Sequence, residues 1–212
     1  ETNVFGFGRD PKYLRWTTTI EHQLFSAPRQ IPDAPAPSAG RGKKPAGSNV
    51  TFGTPKGLNP TKKAVSVEAW VFPDKGAGVV FAHGGPLNGF ALTLTKSQPA
   101  FIVRSDSYVN RLTSKRRLKN EWNHVAVVLG DDLSMRMYLN GELIAEGKSE
   151  GPVTSEPKQG FDLGMDTGSS VGNYKPGFNF TGLIDEVRVY HRELTEDEIA
   201  LSVKNPEQAR SR

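Results

Sequence analysis

The chain has 212 residues, 36% apolar and 24% charged, which suits one large β-sandwich or two small domains with an ordinary packed core. It contains no cysteine, which excludes disulfides, thiolate catalysis and cysteine-ligated zinc, and its formal charge of +4 falls well short of a nucleic-acid-binding footprint. No run of 18 or more apolar residues and no signal-peptide pattern occurs, so no membrane insertion is expected, and the start at Glu1 fits removal of a leader or an upstream domain.

Residues 1–31 read as an N-terminal strand segment. Between Tyr13 and Phe25, Trp16, Thr18, Ile20, His22 and Leu24 alternate on one face with Thr-rich β-branched content, which predicts a strand that joins the sandwich or ends an upstream domain. Residues 32–48 follow as a loop or linker, because Pro32, Pro35, Pro37 and Pro45 with Gly40, Gly42 and Gly47 cannot bury enough apolar surface to offset ordering.

The main domain is expected over 49–203, with a basic tail at 204–212. Val65, Val67, Ala69 and Val71 share one strand face and Ser66, Glu68, Trp70 and Phe72 the other. Val79 to Ala82 and Phe90 to Thr95 flank a Gly84-Gly85-Pro86 and Asn88-Gly89 turn as a hairpin, and Ala100 to Arg104 forms the next strand. Trp122 to Leu129 and Met135 to Leu139 follow. Asn140-Gly141 then predicts a type I′ turn into Leu143 to Ala145, since both central residues of that turn need positive φ. Phe161 to Met165 and Leu183 to Tyr190 supply the last strands.

A helix signal comes only at the end. Thr195 with Glu198 makes a capping box, and Leu194 with Ile199 a hydrophobic staple, so one short C-terminal helix is expected. Nothing between the strands has the length of a helical crossover, which argues against a parallel sheet.

Four segments together carry a resemblance. VSVEAWV (65–71), EWNHVAVV (121–128) with YLNG (138–141), FTGLIDEVRVY (180–190) and LTEDEI (194–199) occur in the order and spacing of laminin-G-like, concanavalin A-like domains. The resemblance implies an all-β fold, a two-sheet antiparallel jelly-roll sandwich with a short C-terminal helix, in which Trp70 and Trp122 serve as packing anchors. TTIEHQLFSAP (18–28), SVGNYKPGF (170–178) and the closing 180–194 stretch are similar to laminin-G-like domains appended to bacterial secreted sulfatases. That similarity implies an extracellular or periplasmic accessory module with an upstream catalytic domain in the same chain.

Catalytic chemistry finds little support in the residues. Glycoside hydrolysis needs two carboxylates flanking the scissile bond, and strand alternation turns the adjacent Asp185 and Glu186 to opposite faces while Glu68 stands alone on its own face. Ser26-Ala27-Pro28-Arg29 is one residue short of the sulfatase nucleophile motif. His22, His83, His124 and His191 are too scattered to suggest zinc and read as packing or surface residues. The resemblance assigns one structural calcium ion to Asp185 with oxygens of the N-terminal loop.

Glycan recognition wants an aromatic platform and planar polar side chains on loops. Tyr108, Asn110 and Arg111 are expected in one loop and Asn173, Tyr174 and Phe178 in another, where Tyr174 and Phe178 could equally serve to pack the loop down. Arg111, Arg116 and Arg117, within the densest basic cluster, would suit sulfate oxygens; a solvated strand edge explains the same charges. The reading is therefore a non-catalytic module that binds a polysaccharide or glycoconjugate, sulfated ones included. A structural or protein-binding domain and a glycoside hydrolase of the same fold are the alternatives.

Overall fold

The computed structural model describes residues 50–204 except 55, 56, 107 and 176, together with the backbone of three N-terminal strands at 2–6, 15–19 and 23–25. The proposed linker at 32–48 and nearly all of the basic tail lie outside the described residues.

The chain runs β1 (Thr2–Gly6), β2 (Arg15–Thr19), β3 (Gln23–Phe25), β4 (Val50–Thr51), β5 (Val65–Pro73), β6 (Gly78–Gly84) and β7 (Asn88–Thr95). It continues with β8 (Gln98–Ser105), β9 (Tyr108–Thr113), β10 (Asn123–Leu129), β11 (Ser134–Leu139), β12 (Glu142–Lys148), β13 (Phe161–Leu163), β14 (Gly182–Tyr190) and α1 (Glu196–Lys204). One sheet has eight strands in the order β12-β11-β10-β5-β14-β3-β1-β2, and the other has six in the order β4-β13-β6-β7-β8-β9. The pairing is antiparallel except where β1 meets β3 in parallel at Phe5 and Phe25. The stretch read as one N-terminal strand is two strands, and β3 docks on β14 so that the three N-terminal strands extend the larger sheet.

The core lies between the layers. Val65, Val67, Ala69 and Val71 of β5 and Val187 and Val189 of β14 meet Phe81, Phe90, Leu92, Phe101 and Phe161 from the six-stranded sheet. Phe81 stacks on Phe161 with centroids 6.0 Å apart, the offset arrangement that aromatic quadrupoles favour. Ser66, Glu68 and Trp70 on the other face of β5 are buried too, and α1 reaches Glu68 through Ser202. Leu194 and Ile199 pack on Ala126, Val128, Tyr138 and Tyr190, and the Thr195 and Glu198 side chains cap each other's backbone N–H groups at 3.2 and 2.9 Å.

Asn140 and Gly141 take φ of 53° and 86°, as a type I′ turn requires, and the Asn140 side chain accepts from the His124 N–H at 2.8 Å. A Cβ on Gly141 would only touch Ala200 at 3.5 Å, so the burden of Gly141→Ala falls on the backbone alone. We expect it to cost about 1 kcal/mol in urea denaturation, the usual penalty of a left-handed conformation for an L-residue.

Two local readings are corrected. Tyr108 to Thr113 is a strand, not a loop, and pairs with β8 from Ser105↔Tyr108 to Ala100↔Thr113. As an edge strand it carries polar residues on both faces, with apolar Val109 and Leu112 an odd number of positions apart, so it shows no period-2 alternation. Asp185 and Glu186 are not on opposite faces. β14 bulges between Asp185 and Arg188, Glu186 takes φ of 49°, and the extra residue brings the Glu186 carboxylate to Arg188 on the side of the sheet that holds Glu68.

Candidate functional site

Arg111, Asn173, Tyr174 and Phe178 come together on the outer face of the six-stranded sheet, whereas Tyr108 and Asn110 take the other face of the edge strand β9. Alternation along β8 and β9 turns Ile102, Arg104, Val109 and Arg111 to the outer face and Val103, Asn110 and Leu112 toward the core. The 164–180 loop lies on that outer face. Its Val171, Tyr174 and Phe178 pack with Val79, Ala82, Ala91, Ile102 and Val109 as a second, smaller apolar cluster. Gly172 makes the approach feasible, because a Cβ there would come within 2.5 Å of Ile102 Cδ1.

Tyr174 and Phe178 thus anchor the loop while remaining half-buried, with ring centroids 6.2 Å apart. The Tyr174 hydroxyl donates to Asp166, and burial first, then this hydrogen bond, pushes the tyrosine well above its ordinary range. Burial likewise raises Asp166, against the Tyr174 and Val171 hydrogen bonds that lower it. Asn173 is exposed, takes φ of 57° and accepts from Arg104 Nη2 at 2.9 Å. Arg111 Nη2 donates to the Gly172 carbonyl at 2.8 Å, so both arginines hold the loop to the sheet.

Asn110 does not display its amide. It is buried, donates to the Val103 carbonyl at 3.3 Å and accepts from the Glu150 N–H at 2.8 Å, because its inward-facing position on β9 must satisfy neighbouring backbone. Tyr108 stands at the first position of β9, 54% exposed, and Leu87 in the adjoining β6–β7 turn is 66% exposed. Asn88 ties these segments together. It pairs with Ser105, donates to Asp106 at 3.3 Å and accepts from the Thr154 N–H at 2.8 Å. Gly84 closes the same rim at φ of 92°, where a Cβ would meet the Asn88 carbonyl at 2.2 Å. Arg104, Leu87 and Asn88, which join the expected residues in this region, were not singled out by residue pattern. Arg104 interrupts an otherwise apolar strand, and Asn88 was read only as a turn residue.

The basic cluster does not converge. Arg116 pairs with Glu142 at 2.5 Å, Arg117 donates to the Lys96 carbonyl at 2.5 Å, and Arg111 points under the 172–174 segment. Arg116 and Arg117 lie in the β9–β10 connection rather than on β9, so strand alternation does not align them with Arg111.

Beneath α1 lies a buried polar network. Glu68 Oε1 accepts from Arg188 at 3.0 Å, Tyr190 at 2.9 Å and Ser202 at 3.3 Å, while Oε2 lies 3.2 Å from His124 Nε2. Arg188 also meets Glu186, and all three charged side chains are fully buried. Burial alone would raise the Glu68 carboxyl, but His124 and Arg188 outweigh it and hold it at about 2. Glu68 and Glu186 are therefore clasped by one arginine under a helix rather than displayed on a groove.

Asp185 is buried, and its Oδ1 accepts from the Glu186 N–H at 2.9 Å. Among the described residues no group of three or more His, Asp or Glu side chains comes together as a metal site, and calcium needs six to eight oxygens. The N-terminal loop expected to supply oxygens beside Asp185 lies largely outside the described residues. A shallow depression of about 710 Å³ lies on β11 and β12, away from the loop cluster, where Asp132 and Glu193 face Lys148 and Arg136 as ion pairs.

Residues 44–200 match a family model described as the concanavalin A-like lectin/glucanases superfamily. The chain belongs to this superfamily. Comparison with curated proteins returns no match. Among solved structures, domain 4 of AbnA, a GH43 extracellular arabinanase from Geobacillus stearothermophilus in complex with arabinotriose, is 23% identical with a TM-score of 0.55, covering 68% of this chain and 67% of that one. The CBM40 of the Ruminococcus gnavus IT-sialidase, bound to α2,3-sialyllactose, is 16% identical with a TM-score of 0.56 over 68% of this chain and 84% of that one. The binding domain of Paraclostridial Mosquitocidal Protein 1 is 12% identical with a TM-score of 0.57, covering 74% of this chain but 40% of that one. At these identities the likeness shows the concanavalin A-like fold. Among the described residues no helix is long and apolar enough to cross a membrane.

Proposed function

We propose that this superfamily member is a non-catalytic glycan-binding module, an accessory domain of a secreted bacterial hydrolase or sulfatase that works outside the cytoplasm. The observation that carries the reading is the rim where exposed Tyr108 and Leu87 stand on neighbouring segments that Asn88 ties together. An exposed aromatic ring offers a flat apolar face to sugar C–H groups. An open rim suits a polysaccharide lying along the surface. Solved structures of the same fold with arabinotriose and sialyllactose support this class of ligand, and the resemblance of 18–28, 170–178 and 180–194 to sulfatase-appended domains supports the accessory role.

A glycan array with and without EDTA tests the reading. Tyr108→Ala is expected to weaken binding at least ~10-fold, about 1.4 kcal/mol, with an unchanged Tm, because the side chain is exposed and packs little. Absence of binding to any polysaccharide would leave the structural or protein-binding alternative. No reducing sugar should be released from any bound polymer, and measurable turnover would restore the hydrolase alternative. A structural calcium ion at Asp185 stands as a separate proposal, tested by a calcium-dependent rise in Tm that Asp185→Asn abolishes.

A further inference from the structure

Arg104 and Arg111 occupy the outer face of adjacent strands, and neither forms an ion pair among the described residues. The register Ile102↔Arg111 and Arg104↔Val109 makes them diagonal neighbours, a separation of roughly 7–8 Å between such positions. Arg104 is only 8% exposed, and its Nε is buried without an acceptor while Nη2 meets the neutral Asn173 amide oxygen. Arg111 meets only the Gly172 carbonyl through Nη2. The acid of the covering loop, Asp166, is occupied by the Tyr174 hydroxyl and the Val171 N–H. Exposed Lys175 adds a third positive charge at the same loop.

A guanidinium withdrawn from water and given a single neutral acceptor is under-compensated, and a buried charge that persists is ordinarily paired. If loop anchoring were the whole role, a neutral donor would serve it without the desolvation of a charge. Asn173 spends its oxygen on Arg104, which leaves its exposed amide N–H groups to face an arriving oxygen ligand. The fork geometry of arginine suits the paired oxygens of a carboxylate or a sulfate ester, where charge-assisted bonds are about twice as strong as neutral ones.

We propose that Arg104, Arg111 and Asn173 form a subsite for an anionic substituent on a sugar ring, either a uronate carboxylate or a sulfate ester. This rests on the glycan-binding reading and narrows its ligand class. Arg111 and Asn173 supply the accessible contacts, and Arg104 supplies charge from beneath.

The test is calorimetric titration of the whole chain with three oligosaccharides of equal length: an oligogalacturonate, a sulfated galactan oligosaccharide and a neutral arabinan oligosaccharide. At least one anionic ligand is expected to bind ~10-fold or more tightly than the neutral one, to weaken as salt rises, and to lose that advantage in Arg111→Gln. Which anionic ligand prevails tells carboxylate from sulfate. Arg104→Lys, which keeps charge but not the fork, serves beside Arg104→Gln where the latter does not fold. Equal affinity for neutral and anionic ligands, unchanged by Arg111→Gln, would overturn the subsite while leaving glycan binding intact. If no oligosaccharide binds, the glycan reading fails and inorganic sulfate decides the subsite. A rise in Tm over chloride at equal ionic strength, absent in Arg111→Gln, upholds anion binding, and identical Tm values refute it.

Discussion

Replacing Arg188 with methionine is expected to destabilise the fold by about 3–5 kcal/mol, the largest single effect foreseen outside the apolar core. Arg188 is fully buried between Glu68 and Glu186, so its loss leaves two carboxylates facing each other in the interior beneath α1. A lone buried charge must either stay uncompensated or take up a proton, and both routes cost stability. Urea denaturation of the single variant and of the triple variant Glu68→Gln, Glu186→Gln, Arg188→Met separates pairing from packing. The triple variant should recover part of the loss, since neutral amides do not repel. A cost below about 1 kcal/mol for Arg188→Met would mean that the network is not what secures this face.

The network also predicts an acid limit. Glu68 has its carboxyl lowered from 4.5 to about 2, so its contribution is fully present above the unfolded value and is lost as the pH falls through the folded one. For a group this deeply buried the shift corresponds to about 3 kcal/mol, withdrawn between about pH 4.5 and 2.

His83 should produce a second, earlier loss. It is fully buried against Phe90 at 5.4 Å and Phe161 at 6.0 Å. Burial lowers its pKa from 6.5 to about 4, even though the Gly160 and Leu58 carbonyls and Asp162 oppose the shift. The folded protein holds His83 neutral where the unfolded chain would bind a proton, so this contribution is complete above pH 6.5 and declines as the pH falls toward 4. The expected decline is about 3 kcal/mol by pH 4. His83→Leu, which cannot take up the proton, should flatten stability between pH 7 and 4.5 in urea titrations. An equal slope in the variant would place the acid sensitivity elsewhere.

These two groups also mark where residue patterns stop informing. Glu68 was legible as an acid on a strand face and Arg188 as a charge on the closing strand, but their meeting depends on β5 lying beside β14, 120 residues apart in the chain. The bulge that brings Glu186 to the same arginine breaks the period of 2 that any reading by alternation assumes. At the candidate site the same division holds. Tyr108 and Asn173 could be chosen as exposed polar or aromatic residues, whereas Arg104 acquires its interest only because the 164–180 loop folds over it. Asn110 was legible only as a polar residue, and it is the pairing of the edge strand that turns it inward to serve backbone groups.

Features written in consecutive residues were determined by the sequence alone, because they rest on local geometry. The apolar alternation of β5 and β10, the positive-φ turn at Asn140-Gly141 and the Thr195–Glu198 cap each involve neighbours along the chain, and together they dictate a sandwich closed by a helix. Tertiary structure alone decided which charges meet an opposite charge and which meet neutral groups. Arg116 pairs with Glu142 and Arg188 with two glutamates, while among the described residues Arg104 and Arg111 meet neutral oxygens. The physical reason is that an electrostatic partner is fixed by distance through space and by the water removed around it, and neither quantity is encoded within a strand or a turn.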